Sequence, residues 1–462
     1  MTAGFALDPT ILREYDVRGI VGRTLTEDAV RAIGRAFGTL VAGSEGRSVA
    51  VGYDGRLSSP TLEAALTDGL TSCGLTVIKV GRGPTPMLYY ANCVLQTDAA
   101  MMVTGSHNPP EYNGIKMVLK GHPFCGEDIQ VLGRTAAAGK FIEGKGSVVS
   151  RPIFDEYIQR LLKDFIPGRS LSVAWDPGNG ATGEAIVQLT RRLPGRHFLI
   201  NEIIDGRFPN HHPDPTVEKN LAQLKDAVAA NKCDLGIAFD GDGDRIGVVD
   251  AKGRVLWGDQ LLAILAREVL ADLPGATIIA EVKASQMLFD EIERLGGKPL
   301  MWKAGHSLIK GKMAEVGAPL AGEMSGHIFF GHRYYGFDDA PYAAIRLLSI
   351  LTRSAESLAQ MRDGLPQMIN TPEVRFHCPE DRKATIVAEV KQRLNGAAGL
   401  KINDIDGIRV QTGDGWWLLR ASNTEAALVA RCESRTKEGL ARLTAGLSEQ
   451  LKQSGITPPK FD

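Results

Sequence analysis

Residues 99–110 read AAMMVTGSHNPP, an apolar run that stops at a polar loop carrying two consecutive prolines. The run is too short for a helix and apolar at every position through Val103, the pattern of a strand buried on both faces. Pro109 and Pro110 allow neither helix nor strand to continue, so Ser106 is presented on a tight turn at the strand's end. Toward the N-terminus, residues 84–95 read as a helix, 75–80 as a strand, 58–73 as an amphipathic helix and 48–54 (SVAVGYD) as another buried strand. Helices alternating with apolar strands imply a largely parallel sheet covered on both faces.

The same grammar recurs twice. A second round runs from the strand 171–176 (LSVAWD) through a helix after Gly180, a strand near 197–204, a helix over 218–231 and the strand 235–239. A third runs from 277–282 (TIIAEV) through a helix at 285–295, a strand at 299–302, a helix at 307–316 and the strand 319–321. Each third strand ends in an unusual polar loop: TGSHNPP, then DGDGDR, then GEMSGH. Ligands of open α/β sheets gather at the carboxyl ends of strands, so the three loops can converge on one cleft. After about residue 370 the pattern changes to a strand at 373–378, a helix at 383–394 and a hairpin at 408–419 with its turn at Gly413-Asp414-Gly415, a small α+β domain. The expected fold is three topologically similar α/β domains with mixed sheets plus a smaller α+β C-terminal domain around a central cleft. The expected domains are 1–151, 152–254, 255–367 and 368–462.

The chain has 462 residues, enough for about three domains at roughly 150 residues each. Its formal charge is −1, with 44% hydrophobic and 23% charged residues, so no bulk field attracts nucleic acid or anionic membrane and any anion must be held locally. The beginning of the chain is acidic too early for a signal peptide, no apolar run is long enough for a membrane span, and the six cysteines lack metal spacing. A cytoplasmic protein with reduced thiols is the expectation.

Chemistry concentrates in four loops. Ser106 beside His107 reads either as a nucleophile or as a turn residue, since no G-x-S-x-G elbow is present. Asp240, Asp242 and Asp244 alternate with glycines, and three carboxylates folded together at a strand end call for a cation; hard oxygen donors favour magnesium or calcium. An EF-hand is excluded, because its sixth position falls on Arg245 and its twelfth on Ala251. Glu323 and Ser325 suit the vicinal hydroxyls of a sugar, though by themselves they read more readily as an unremarkable turn. Arg420, Ser422, Asn423 and Thr424 make a phosphate cradle or a polar turn.

The four loops in this order, with the opening Arg13-Glu14-Tyr15-Asp16-Val17-Arg18-Gly19, closely resemble the α-D-phosphohexomutase family in its bacterial phosphomannomutase/phosphoglucomutase branch. The resemblance covers essentially the whole chain. It departs at Glu425-Ala426, where the family more usually carries a proline. The resemblance implies that Ser106 is the phosphoserine and a magnesium ligand together with Asp240, Asp242 and Asp244. It implies that Glu323 and Ser325 bind sugar hydroxyls, that Lys283 and His306 contact the sugar or its phosphate, and that Arg420, Ser422, Asn423 and Thr424 hold the distal phosphate. Tyr15, Arg18, His107, Lys116, Arg245 and His327 match positions lining the reaction centre, with Lys116, Arg18 and His327 candidates for proton transfer.

The implied reaction converts glucose or mannose 1-phosphate to the 6-phosphate through a 1,6-bisphosphate, with Mg2+ as cofactor and glucose 1,6-bisphosphate as activator and intermediate. The implied partners are small phosphosugars, with neither nucleic acid nor membrane, and the chain is a monomer or weak homodimer. Two rivals stand beside it. A haloacid-dehalogenase-like phosphatase would use Asp240 as nucleophile but wants Thr or Val where Asp244 stands, and a non-catalytic sugar-phosphate-binding protein would have no need of the complete serine and carboxylate set.

Overall fold

The computed structural model describes residues 4–422 and 425–461. The first sheet contains β1 (Val17–Ile20), β2 (Ser48–Tyr53), β3 (Thr76–Arg82), β4 (Ala99–Val103), β5 (Tyr112–Leu119), β6 (His122–Pro123) and β7 (Ser147–Ser150). The second contains β8 (Ser172–Asp176), β9 (Arg196–Leu199), β10 (Leu235–Phe239), β11 (Ile246–Asp250) and β12 (Val255–Leu256). The third contains β13 (Thr277–Glu281), β14 (Lys298–Trp302), β15 (Leu320–Gly322) and β16 (Ile328–Phe330).

These sheets share one connectivity. The spatial orders β5-β4-β2-β3, β11-β10-β8-β9 and β16-β15-β13-β14 are equivalent, with three parallel strands and one antiparallel strand in each. The sheets are therefore mixed. The parallel part follows from the helical crossovers, and the antiparallel strand is the direct return of the chain after each polar loop. The last pairs, Val103 with Ile115, Phe239 with Ile246 and Gly322 with Ile328, close the three loops at their bases.

The fourth sheet is antiparallel throughout and contains β17 (Ile369–Asn370), β18 (Val374–His377), β19 (Lys401–Asn403), β20 (Ile408–Thr412), β21 (Gly415–Ala421) and β22 (Ala427–Ser434). Helices Glu380–Leu394 and Lys437–Gln453 cover it, and Ile386, Trp417, Leu419, Leu428 and Leu447 form its core.

In the first unit, helices Glu27–Gly43 and Ser59–Thr71 cover one face over a core of Phe37, Leu66, Leu70 and Met101. The other face joins the second and third units in a continuous core containing Leu88, Tyr157, Trp175, Phe239, Leu262, Phe330 and Tyr342. This shared burial fixes the three units against one another, at roughly 25 cal/mol per Å² of apolar surface removed from water. No helix among the described residues is long and apolar enough to cross a membrane.

Candidate active site

The loop after β4 is built on polar side chains instead of a ladder. Asp54 Oδ2 accepts from the Thr104 hydroxyl at 2.8 Å and from Gly105 N at 3.1 Å, while Thr104 Oγ1 accepts from Ser106 N at 2.8 Å. Ser106 takes a left-handed conformation with φ +47°, which costs a side chain about 1–2 kcal/mol and must be enforced by its surroundings. That conformation turns the Ser106 hydroxyl toward the second unit. It donates to Asp240 Oδ2 at 2.9 Å and lies 3.1 Å from His107 Nδ1.

The second loop is folded by its own first carboxylate. Asp240 Oδ1 accepts from the backbone N–H groups of Gly243, Asp244 and Arg245 at 2.9, 3.1 and 3.2 Å. Gly241 lets this loop touch the first one, because a Cβ there would lie 2.3 Å from the Ser106 carbonyl oxygen. The approach is locked by Thr85 N donating to the Asp242 carbonyl at 2.8 Å.

Asp240, Asp242 and Asp244 bring carboxylate oxygens within 4.8 Å of one another, all buried. Lys116 Nζ donates to Asp242 Oδ2 at 2.7 Å and also to Asp244 Oδ2, and the Thr85 hydroxyl donates to Asp242. Asp242 Oδ1 and Asp244 Oδ1 have no hydrogen-bond partner among the described residues, and two orphaned buried anionic oxygens beside a third carboxylate fit a hard divalent cation. The electrostatics agree. Burial, then Asp242 and Asp244, push the Asp240 carboxyl well above the usual range. Burial acts to lower the Lys116 pKa, but Asp242 and Asp244 outweigh it and hold the ammonium charged well above its ordinary value. Lys116 is thus arranged as a cation between the two carboxylates.

The third loop is laced to the second by main chain. Ile246 N donates to the Gly326 carbonyl at 3.0 Å, and Gly326, at φ +88°, has no room for a Cβ, which would lie 2.4 Å from the Ile246 carbonyl oxygen. Beside this seam Arg245 Nε donates to His327 Nε2 at 2.9 Å, and His327 Nδ1 lies 2.9 Å from Asp338 Oδ2. An Nε2 that accepts leaves the proton of the neutral ring on Nδ1, facing Asp338. Burial, then Lys310, hold the pKa of His306 well below that of free histidine, and burial, then Arg245 and Arg18, do the same for His107.

Glu323 Oε1 accepts from Gly305 N at 2.7 Å, which fixes its side chain, and Ser325 lies half-buried two residues on. Lys283 Nζ is 3.1 Å from Glu373 and 3.4 Å from Glu281. Burial pushes the Glu281 carboxyl up to about 7. Tyr15 donates its hydroxyl to the Ala304 carbonyl at 2.9 Å, and its ring meets that of His306, which in turn stacks on His327. Arg18 pairs with Asp16 and donates to Asn108 Oδ1 at 2.9 Å, so it lies against the Ser106 loop.

In the fourth unit Arg420 Nη2 lies 3.0 Å from Asp406 Oδ2, which also accepts from Ala304 N at 3.0 Å. Lys383 Nζ holds the loop by donating to the carbonyls of Ser422 and Glu425 at 2.7 and 3.1 Å. The Glu425 carboxylate is 59% exposed and 3.7 Å from Arg375, drawn toward another cation. Asn423 and Thr424 lie outside the described residues. An unbroken series of contacts therefore runs Ser106–Asp240, Asp244–His327, His327–His306, Tyr15–Ala304 and Asp406–Arg420 across all four units. A cavity of about 570 Å³ between the first and third units, lined by Tyr89, Val118, Lys310 and Phe337, contains none of the expected site residues.

Sequence reasoning missed the residues that orient this set: Thr85, Asp338, Glu281 and Asp406. No spacing signal points to any of them.

Four family models match the chain in order: Phosphoglucomutase/phosphomannomutase alpha/beta/alpha domain I over residues 9–143, domain II over 155–253, domain III over 257–369 and the C-terminal domain over 373–450. The chain is 44% identical over 446 residues to a phosphomannomutase/phosphoglucomutase of Pseudomonas aeruginosa, with 96% of each protein covered. It is 41% identical over 436 residues to a phosphoglucomutase of Neisseria gonorrhoeae, covering 94% of this chain and 95% of that one. Its fold is similar to the crystal structure of a phosphoglucomutase/phosphomannomutase family protein from Burkholderia thailandensis, with TM-score 0.93, 41% identity, and 99% and 100% of the two chains covered.

Proposed function

Because this chain belongs to the phosphoglucomutase/phosphomannomutase family, an α-D-phosphohexomutase family, we propose that it interconverts hexose 1-phosphates and 6-phosphates with Ser106 as the phosphoryl carrier. It is an isomerase of hexose phosphates. The observation that carries the Ser106 assignment is the Ser106 hydroxyl in its left-handed turn, 2.9 Å from Asp240 within the carboxylate trio.

Phosphorylated Ser106 donates to the free 6-hydroxyl of a hexose 1-phosphate. The P–O bond to Ser106 Oγ breaks, the bond to the sugar oxygen forms, and the hydroxyl proton passes to a base in the cleft. The resulting 1,6-bisphosphate turns end over end and returns its 1-phosphoryl group to Ser106 Oγ, leaving hexose 6-phosphate. Glucose 1,6-bisphosphate serves as both intermediate and activator. His327 is the proton acceptor of this reading, taking the proton on Nε2 once Arg245 gives up its bond there, with Asp338 2.9 Å from Nδ1. Arg18, His107, Lys116 and Arg245 gather positive charge and hydrogen-bond donors around the transferring group.

Asp240, Asp242 and Asp244 with the Ser106 phosphate would hold Mg2+, which neutralises phosphoryl charge when bound. Glu323 and Ser325 grip the 3- and 4-hydroxyls, Lys283, His306 and Tyr15 line the sugar's path, and Arg420, Ser422, Asn423 and Thr424 hold the distal phosphate. Small phosphosugars are then the only partners required, and the near-neutral charge suits a cytoplasmic monomer or weak homodimer without nucleic acid or membrane.

The phosphatase alternative is disfavoured by Asp240 itself. Its Oδ1 is committed to three backbone N–H groups and its Oδ2 accepts from the Ser106 hydroxyl, a serine for which that alternative has no role. Intact mass of the purified protein before and after glucose 1,6-bisphosphate tests the carrier: one added phosphate mapping to Ser106 is expected. A phosphate on Asp240, or none, would replace this reading.

A further inference from the structure

We propose that Arg56 is the positioning residue that sets Ser106 for phosphoryl transfer. Its guanidinium is buried, 2% exposed, and collects the carbonyls of the Ser106 loop. Nη2 donates to the carbonyls of Ser106 at 2.8 Å and Asn108 at 2.6 Å, and Nη1 to those of Pro109 at 2.6 Å and Tyr112 at 2.9 Å. This loop supplies few such donors itself, Tyr112 N to the Pro109 carbonyl at 3.0 Å among them. Two prolines remove N–H groups from it, and the left-handed turn at Ser106 aims successive carbonyls to one side. A planar fork with several donors on one rigid group meets four such carbonyls where an ammonium cannot.

Asp54 completes the clamp. It takes donors of the same loop, the Thr104 hydroxyl and Gly105 N, on Oδ2, and that oxygen lies 3.3 Å from Arg56 Nε. Asp54 thus holds the loop's entry by its donors and Arg56 holds the rest by its acceptors. The second unit presses the clamp into place: the Phe208 ring lies 5.1 Å from the guanidinium carbon, and a Cβ on Gly206 would lie 2.6 Å from Arg56 Cα. The guanidinium bonds the backbone of the carrier loop and reaches Ser106 only through its carbonyl. Without it, the four carbonyls lose their common donor and Ser106 is free to leave the left-handed region, swinging its Oγ off Asp240. An error of about 1 Å in a reacting atom is enough to cost roughly a hundredfold in rate while substrate binding survives.

This inference rests on Ser106 being the carrier, so Ser106→Ala is assayed in parallel. Three full-length variants test it: Arg56→Lys, which keeps the charge and loses the fork; Gly105→Ala, whose Cβ would meet Arg56 Nε at 2.2 Å; and Phe208→Leu, which removes only the half-buried ring. With saturating glucose 1,6-bisphosphate, the first two are expected to lower kcat for glucose 1-phosphate by about 100-fold or more with KM within threefold, and to slow phosphorylation of Ser106 followed by intact mass. Phe208→Leu is expected to lower kcat severalfold with the same unchanged KM. If Arg56→Lys or Gly105→Ala fails to fold, Phe208→Leu decides. A kcat within error of wild type in the folded variants, or a kcat loss matched by a proportional rise in KM, overturns the role of Arg56. An active Ser106→Ala overturns the carrier reading instead.

Discussion

Lys116 Nζ lies 2.7 Å from Asp242 Oδ2 and bonds Asp244 as well, so an ammonium group sits among three buried carboxylates close enough together to take a divalent ion. The cation of the first unit and the anions of the second thereby answer each other across the boundary between units. A divalent ion entering this set has to share those carboxylates with the lysine.

Chelation is accordingly expected to abolish turnover and magnesium to restore it, with Asp242→Asn raising the magnesium concentration for half-activation and lowering kcat at least about 100-fold. Lys116→Met, which removes the competing charge, should bind magnesium at least about tenfold more tightly by calorimetry, a gain of about 1.4 kcal/mol. Full activity in chelator, or unchanged affinity in Lys116→Met, contradicts the arrangement.

Ser106→Ala should lower turnover by several orders of magnitude while thermal unfolding moves by less than the equivalent of about 1 kcal/mol. The variant loses the hydroxyl's contacts with Asp240 and His107 and keeps the loop's backbone bonds. Mutase assays with bisphosphate present, alongside a melting curve, check both halves.

Arg420 is paired with Asp406 at 3.0 Å in a mostly buried setting, so its charge is held in place before any phosphate arrives. Arg420→Ala is expected to raise KM by about 30-fold, the worth of roughly 2 kcal/mol for a desolvated charge pair. Steady-state kinetics with glucose 1-phosphate measures it, and an unchanged KM takes Arg420 out of the substrate site.

Glucose and mannose differ only at the 2-hydroxyl, whereas Glu323, fixed by Gly305 N at 2.7 Å, is assigned to the hydroxyls they share. The kcat/KM values for the two 1-phosphates are expected to agree within about two powers of ten, a gap of at most about 3 kcal/mol. Glucosamine 1-phosphate should be poorer. A thousandfold preference for either neutral sugar, measured in a coupled assay, excludes shared recognition.

Asp339 caps helix Ala340–Arg353, accepting from Tyr342 N at 2.8 Å and from the hydroxyls of Tyr157 and Tyr334 at 3.0 and 2.7 Å. Burial nevertheless pushes its carboxyl up to about 7 from 3.8. A raised carboxyl binds its proton more tightly in the folded chain than in the unfolded one. Its protonated form therefore favours folding, and stability falls as pH rises from about 4 through 7. The full effect is about 4 kcal/mol at 1.36 kcal/mol per unit. Asp339→Asn cannot titrate, and its unfolding free energy should decline less than the wild type's between pH 5 and 8 in denaturant melts. Parallel profiles for the two proteins contradict this.

What the sequence made legible follows from where its signals are local. Continuous apolar runs such as SVAVGY and LGIAF announce buried parallel strands, and the reading of 235–239 coincides with β10. The returning strands β5, β11 and β16 escaped notice because each follows its polar loop directly, without a helix to mark it. Helices Gly258–Asp272 and Ala340–Arg353 escaped too. Their buried residues occur on nearly every face. The span 218–231 reads as one helix but folds as a 3-10 turn over Glu218–Leu221 continued by a helix from Ala222 to Ala230. In the site, Ser106 and the three aspartates were legible because a cluster of hydroxyl and carboxylate at a strand end has no ladder to serve. Arg56 and Asp338 were not, since one arginine or aspartate gains its meaning only from carbonyls or a ring supplied by distant segments.

The identical path from β4 to β5, β10 to β11 and β15 to β16 has a consequence for descent. Copies of one coding segment joined in tandem inherit the same exit from the sheet, so each copy could specialise by rewriting a handful of residues at that exit while its scaffold stayed untouched. On the function proposed above, one would serve as the carrier, one as the ion holder and one as the sugar grip. Under that assignment none of the three would perform the reaction alone, and the division of labour would tie their fates together: no copy could be lost or revert without silencing the other two.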